Sequence, residues 1–213
     1  MPFDFFRRRK VGEETGPDGD EAAVGTLIPF EGLTEEWRLV GRMTITGRLS
    51  DALNKREAIP LSEVEWAPID GSAPFEPAPG LKTVDPYDLI VVLAGEATQP
   101  AMTESEKAAH KVHKIAYDVA LEAPPFSIAG TVFLYPGSEP ERLLERSTEM
   151  FVAVVEAVAY LGEQPVTGTQ RDTLLVNRFY LRGVEQIDKR TGERPQTLPG
   201  APLGGVSWQD RSR

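Results

Sequence analysis

The two histidines of the chain, His110 and His113, are the residue types best suited to bind a metal ion. On a helix they would lie one turn apart, with Glu106 one turn before them. Two imidazoles and a carboxylate could hold zinc or manganese in a metal-dependent hydrolase. The lysines around them favour a solvated connector instead, and a metal site normally needs a supporting shell. We therefore expect no metal and no other cofactor, and these three residues are the ligands to test if a metal binds.

No catalytic residue can be nominated from the sequence. The absence of cysteine excludes disulfides, thiolate nucleophiles and cysteine-bound metals. The chain also lacks the Gly-x-Ser-x-Gly turn of serine hydrolases and the glycine-rich loops that bind phosphates. Glu63 and Glu65 alternate with Val64 and Trp66, which is typical of the solvated face of a half-buried strand. Glu63 and Glu156 occupy matching places in the two halves, which is consistent with a shared structural role.

Aromatic and cationic residues are concentrated at the start of the sequence. Phenylalanines beside cations suit an acidic groove of a partner protein or an anionic membrane surface. Four cations at about 1 kcal/mol each would give only weak peripheral membrane contact. We assign partner binding to the following run: Phe3, Phe5, Phe6, Arg7, Arg8, Arg9 and Lys10.

Charge and hydropathy argue against a nucleic-acid-binding protein and against a transmembrane protein. A net charge of −10 argues against a nucleic-acid partner, because phosphate binding needs clustered lysine and arginine. No stretch approaches the roughly 20 apolar residues of a transmembrane helix. The first residues also lack the apolar centre of a secretion signal. We therefore expect a cytoplasmic protein.

In the first half, apolar alternation predicts four strands and one short helix. Ser50 is placed to cap the helix, Asp51 to favour its positive end and Asn54 to suit its exit. Gly32 is predicted to turn the chain, and the prolines between residues 67 and 87 predict a loop. The predicted strands lie at 24–30, 36–46, 58–66 and 88–94, and the helix at 49–54.

In the second half, residues 111–121 fit both a helical and a strand period, and the likeness to the first half favours a strand from Lys114. The pattern Ser138-Glu-Pro-Glu141 predicts a capping box that opens a helix to about residue 148. The run at 151–161 is apolar enough for a strand buried on both faces. The other predicted strands lie at 126–135 and 173–184.

Trp37–Ile45 and Phe126–Leu134 are similar runs, each with a glycine after a hydrophobic pair. Internal similarity of this kind predicts repeated units. We predict an α+β, mostly β fold of two tandem β-β-α-β-β units, each a small curled sheet or partial barrel, packed as a pseudo-twofold pair. The predicted segments are a disordered tail (1–22), the first unit (23–97), a connector with a short helix (98–113), the second unit (114–187) and a second disordered tail (188–213).

The runs Arg48-Leu-Ser-Asp-Ala-Leu-Asn54 and Ile59-Pro-Leu-Ser-Glu-Val64 resemble the signature of an uncharacterised bacterial family of short β-rich domains. Leu175-Val-Asn-Arg178 resembles a Leu-Asn-Arg run in the final strand of that family. The resemblance implies a fold type and a tandem arrangement, but no activity. It groups six polar residues as a ligand-binding or structural cluster: Arg48, Ser50, Asp51, Asn54, Asn177 and Arg178.

These observations favour a non-enzymatic module for protein interaction or self-assembly. Sheet edges and the N-terminal run of phenylalanine and arginine would supply its contacts. The alternative is a regulatory sensor that binds a small ligand between the two units, because pockets favour domain joints. A metal-dependent hydrolase is the third hypothesis.

Overall fold

The computed structural model describes residues 25–95, 98, 114–145, 149–167 and 172–188. Within these ranges the chain is mostly β with one short α-helix, which confirms the predicted α+β, mostly β class. Apart from residues 98 and 188, the predicted tails and connector lie outside the described ranges. None of the described helices has the length and apolar character that a membrane span requires.

The described elements follow the predicted order with several added short strands. The first half contains β1 (Thr26–Leu33), β2 (Trp37–Ile45), α1 (Leu49–Asn54), β3 (Ile59–Pro60), β4 (Ser62–Pro68), β5 (Glu76–Pro77), β6 (Thr83–Val84), a 3-10 helix (Pro86–Asp88) and β7 (Val91–Ala94). The second half contains β8 (Ile115–Ala123), β9 (Phe126–Leu134), a 3-10 helix (Pro140–Leu144), β10 (Phe151–Leu161), β11 (Gln164–Pro165), β12 (Asp172–Asn177), a 3-10 helix (Arg178–Tyr180) and β13 (Gly183–Gln186).

The predicted turn at Gly32 is wrong, because β1 continues through it to Leu33. The turn lies at Thr34, whose hydroxyl accepts a hydrogen bond from the backbone N–H of Trp37 at 2.9 Å. Close packing at Gly32 instead favours a residue without a side chain. A Cβ atom added there would lie 2.9 Å from side-chain atoms of both Leu89 and Phe30.

The predicted strand at 58–66 is divided into two strands with different partners. The first, β3, pairs with β6 in a separate two-stranded sheet, whereas β4 joins the main sheet beside β2. The predicted proline-rich loop therefore contributes two short strands, β5 and β6. Pro60 and Pro77 cannot donate a ladder hydrogen bond, which is consistent with ladders of only two residue pairs.

The capping box predicted at Ser138 is wrong. The N-cap residue is Glu139, and it makes no side-chain capping hydrogen bond. The chain is already extended at Glu145, with ψ of 129°, so only a 3-10 helix forms where a longer helix was predicted.

The strand predicted at 173–184 is also divided. Asn177 ends β12, and its side-chain oxygen accepts a hydrogen bond from the backbone N–H of Phe179 at 3.0 Å. That contact caps the 3-10 helix that redirects the chain. The continuation, β13, then pairs with β8 at the far end of the sheet.

The main sheet is open, and its described strands pair antiparallel in the order β13-β8-β9-β10-β12-β7-β1-β2-β4-β5. The last strand of the first half, β7, pairs with β12 of the second half, so the halves join edge to edge. Beyond this joint the strand order differs: β7 lies beside β1, the first strand of its half, whereas β12 lies beside β10.

The two halves share one detailed feature. Glu63 and Glu156 have positive φ angles of 53° and 48°, which are uncommon for residues other than glycine. Each lies at a bulge where the neighbouring strand carries a glycine, Gly41 or Gly130. The register is the same in both places. The residue after the glycine pairs with the residue before the glutamate, and the residue before the glycine pairs with the second residue after the glutamate.

Two hydrophobic cores lie on opposite faces of the central strands. Val92 of β7 and its ladder partner Leu175 of β12 belong to the first core, which α1 covers with Leu49 and Leu53. Their neighbours in the chain, among them Val91, belong to the second core. Successive side chains of a strand point to opposite faces, so β7 and β12 contribute to both cores. In β10, Phe151 and Val154 are buried, but several other residues are only half-buried, so burial on both faces holds in part.

Candidate functional site

The polar cluster predicted from the sequence gathers in part around the start of β10. The side-chain oxygen of Asn54, at the end of α1, accepts hydrogen bonds from the backbone N–H groups of Met150 and Phe151 at 2.7 and 2.8 Å. The backbone N–H of Arg178 donates to the Met150 carbonyl oxygen at 2.8 Å. Asn54 and Arg178 therefore bind the backbone N–H and the backbone carbonyl oxygen of Met150, respectively.

Asn177 is fully buried beside this point, where it pairs with Phe151 in the ladder. Its amide nitrogen donates to the Leu89 carbonyl oxygen at 2.8 Å and to the Pro86 carbonyl oxygen at 3.3 Å. Both acceptors belong to the first half. The side-chain amide of Asn177 therefore links the two halves of the chain.

The side chain of Arg178 is directed at the backbone of the 3-10 helix that follows β9. Its Nε donates to the Leu143 carbonyl oxygen at 3.0 Å, and a terminal nitrogen donates to the Arg142 carbonyl oxygen at 2.8 Å. Burial lowers the pKa of Arg178 below its ordinary value, while the negative charges of Glu149 and Glu145 oppose that shift. The described contacts of this guanidinium thus support the fold.

The remaining cluster residues lie at the start of α1. The N-cap residue is Arg48, and no side chain caps the helix, so the predicted capping role of Ser50 is wrong. With Ser50 as the N-cap the helix would start at Asp51, but Leu49 is already helical, so the helix begins two residues earlier than that role requires. Asp51 lies in the first turn, as predicted, where a negative charge is favourable.

The other predicted site residues lie outside the described ranges. They are Phe3, Phe5, Phe6, Arg7, Arg8, Arg9, Lys10, Glu106, His110 and His113. Among the residues that are described, no three histidine, aspartate or glutamate side chains group in a way that could hold a metal ion.

A second candidate site, missed by the sequence, is a pair of stacked tryptophans. Trp37 begins β2 and Trp66 lies near the end of β4, and their ring centroids are 5.1 Å apart at an interplanar angle of 24°. Trp66 pairs with Leu39, two residues beyond Trp37, which places both indoles on one face of the sheet. The two side chains are 38% and 39% exposed, so neither is buried in a core.

Carboxylates lie in the segments around the two indoles. Glu76 of β5 is the ladder partner of Trp66, and Glu35 and Glu36 form the turn before Trp37. Asp70 lies in the turn after β4, where hydrogen bonds from Ser72 hold its pKa below the ordinary range. We call the following set the acidic tryptophan surface: Trp37, Trp66, Glu35, Glu36, Asp70 and Glu76.

The nearest described arginine on β2 lies on the other face of the sheet. Arg38 forms an ion pair with Glu31 and donates to the Val166 carbonyl oxygen at 3.2 Å. Its guanidinium also lies over the ring of Phe75, 6.0 Å from the centroid. Arg38 is therefore engaged away from the indoles.

A search for similar proteins found no match to this chain among family models, curated proteins or solved structures. The resemblance to a bacterial family of β-rich domains therefore stays a prediction from the sequence.

Proposed function

We propose that this protein is a non-enzymatic interaction module that binds a cationic segment of a protein through the acidic tryptophan surface. The observation that carries this proposal is the exposed stack of Trp37 and Trp66. Large aromatic side chains are the commonest anchors of protein interfaces, because they bury much apolar area at a small loss of conformational entropy. A partner that covers the two indoles would remove this apolar area from water.

The charge around the indoles favours a particular kind of partner. Arginine can stack on an indole ring and pair with a carboxylate at the same time. Glu76 lies beside Trp66 in the ladder, so both interactions are available to one guanidinium. Complementary charge would also speed association and select cationic partners over acidic ones.

The alternative function, a sensor that binds a small ligand between the two halves, has less support from the packing at the joint of β7 and β12. Phe151 and Leu175 are buried there in the first core, together with Leu49 and Leu53 of α1. The polar side chains at this joint, Asn54 and Asn177, are hydrogen-bonded to backbone groups. This part of the joint is filled by the protein itself.

A titration with a synthetic peptide of mixed arginine and phenylalanine tests the proposed function. We expect saturable binding with quenching of tryptophan fluorescence, and a loss of at least about tenfold in affinity in Trp37→Ala and Trp66→Ala, since each removes an anchor. Phe133→Ala is the matched control, because Phe133 is 48% exposed on another strand. Equal affinity in all four proteins would contradict the proposal, because general attraction to an acidic chain would explain it.

We further propose that the two halves descend from one duplicated β-β-α-β-β unit. The support is the shared register of the two bulges, with Glu63 opposite Gly41 and Glu156 opposite Gly130. The strand order differs beyond the joint. The proposed common origin is therefore supported by the bulged strand pairs β2–β4 and β9–β10 and not by the order of all the strands.

A further inference from the structure

We infer that the acidic tryptophan surface is occupied by the chain's own N-terminal segment, residues 3–10. This inference rests on the proposed function, since it names the cationic segment that the surface binds.

The chemistry of the segment matches the surface. Residues 7–10 are the only four consecutive cations in the sequence, in a chain of net charge −10. Three phenylalanines precede them within the same ten residues. Arginines can stack on the indoles and pair with Glu36, Asp70 and Glu76, and the phenyl rings can cover the apolar remainder.

The intervening chain is long enough for this contact. Residues 11–24 separate the segment from Gly25, and 14 extended residues span at most about 50 Å. The acidic tryptophan surface lies at the far end of β1 and β2, and the eight residues of β1 cover only about 25 Å. A segment tethered at this distance has an effective concentration on the order of millimolar, which favours contact within one chain.

Photo-crosslinking in the full-length chain tests the contact directly. Phe5 is replaced by photoreactive p-benzoylphenylalanine, and the crosslinked peptides are mapped by mass spectrometry after mixing isotope-labelled and unlabelled protein. We expect crosslinks within single chains to the segments that contain Trp37 or Trp66. Crosslinks to other segments, crosslinks only between labelled and unlabelled chains, or no crosslink at all would overturn the inference.

Exchanging the charges of the segment and the surface distinguishes specific docking from crosslinking that results only from the short tether. Reversing residues 7–10 by Arg7→Glu, Arg8→Glu, Arg9→Glu and Lys10→Glu should lower the crosslink yield at least about fivefold. Adding Glu36→Lys and Glu76→Lys to that variant should restore most of the yield. Unchanged yield after the reversal, or no recovery after the exchange, would contradict docking by complementary charge.

A titration with the arginine and phenylalanine peptide tests this inference and the proposed function separately, because the two predict different changes in peptide affinity. If the segment covers the surface, the reversed variant should bind the added peptide about tenfold more tightly than the unmodified chain, because the competitor is gone. Equal affinity in these two proteins, still abolished by Trp37→Ala, would refute the inference and leave the proposed function standing. Binding that is insensitive to Trp37→Ala would refute both.

Discussion

The side-chain nitrogen of Asn177 donates a hydrogen bond of 2.8 Å to the carbonyl oxygen of Leu89, which joins the end of β12 in the second half to the first half. Asn177 is fully buried, and its oxygen also accepts from the Phe179 N–H. One amide therefore caps a 3-10 helix and satisfies a backbone group of the opposite half. Its buried position makes each of these bonds costly to lose.

Asn177→Ala should destabilise the protein by about 2–3 kcal/mol, because it leaves buried backbone groups without partners and opens a small cavity. The measurement is urea-induced unfolding followed by circular dichroism. Ser127→Ala, at an exposed position of β9, is the control and should change stability by less than about 0.5 kcal/mol. Equal stability of the two variants would show that the amide contacts contribute nothing.

Asn54→Ala should destabilise the protein by about 1–2 kcal/mol, because the Met150 and Phe151 N–H groups lose their acceptor. Ser50→Ala on the same helix is the matched control. It should be close to neutral, since Ser50 does not cap α1. A larger effect at Ser50 than at Asn54, measured by thermal unfolding, would contradict this assignment of roles.

Gly130→Ala should destabilise the protein by about 1–3 kcal/mol through overpacking. An added Cβ would lie 2.6 Å from a Val154 methyl carbon and 2.8 Å from the Ala157 Cβ. At Gly41 the closest atom would be 3.0 Å away, so Gly41→Ala should cost less. Gly80→Ala is the control, because no atom lies within 4 Å of its added Cβ. Chemical denaturation of the three variants should give that order, and a different order would contradict the packing argument.

Alkaline stability should depend on Tyr180. Burial, followed by the charges of Glu35 and Asp88, raises the pKa of Tyr180 above its ordinary value of 10.0. The unfolded chain therefore loses this proton first, and the stabilising contribution, complete below pH 10.0, is lost as the pH rises through the folded-state pKa. Tyr180→Phe should reduce the fall in unfolding free energy between about pH 9 and pH 11.

Exposed Tyr135 supplies the control for that pH series. Tyr135→Phe removes a hydroxyl from a ring that is 57% exposed, and it shows how much the loss of one tyrosine hydroxyl changes the unfolding free energy away from the site of Tyr180. The Tyr180 variant also loses the hydrogen bond from its hydroxyl to the Tyr87 carbonyl oxygen, which lowers stability at every pH. The comparison must therefore use the slope with pH. An unchanged slope in Tyr180→Phe would contradict the assignment.

Local sequence patterns predicted the strands and the short helix well where one pattern dominated. The bounds of β10 agree with the prediction because a long apolar run marks them, and the bounds of α1 agree although the predicted cap at Ser50 does not form. The sequence predicts one strand at 173–184 because its apolar period continues across Asn177. The break there depends on hydrogen bonds to Leu89 and Phe179, which a local pattern does not contain.

The acidic tryptophan surface was missed for a related reason. The alternation of polar and apolar residues in β4 predicts that Trp66 lies on the buried face together with Val64, and Val64 is indeed buried. Exposure of Trp66 depends on where the core beneath the sheet ends, which is decided by tertiary packing. The usable signal was the glutamates next to each tryptophan, Glu36 before Trp37 and Glu65 before Trp66.

The sharing of β7 and β12 between both cores has a consequence for folding. Loss of either half would strip one side of the shared strand pair and expose residues such as Val91 or Val92, both fully buried. We therefore expect the chain to melt in a single cooperative transition, with calorimetric and van't Hoff enthalpies that agree. Domain-sized fragments made by cutting the chain between β7 and β8 should not fold autonomously.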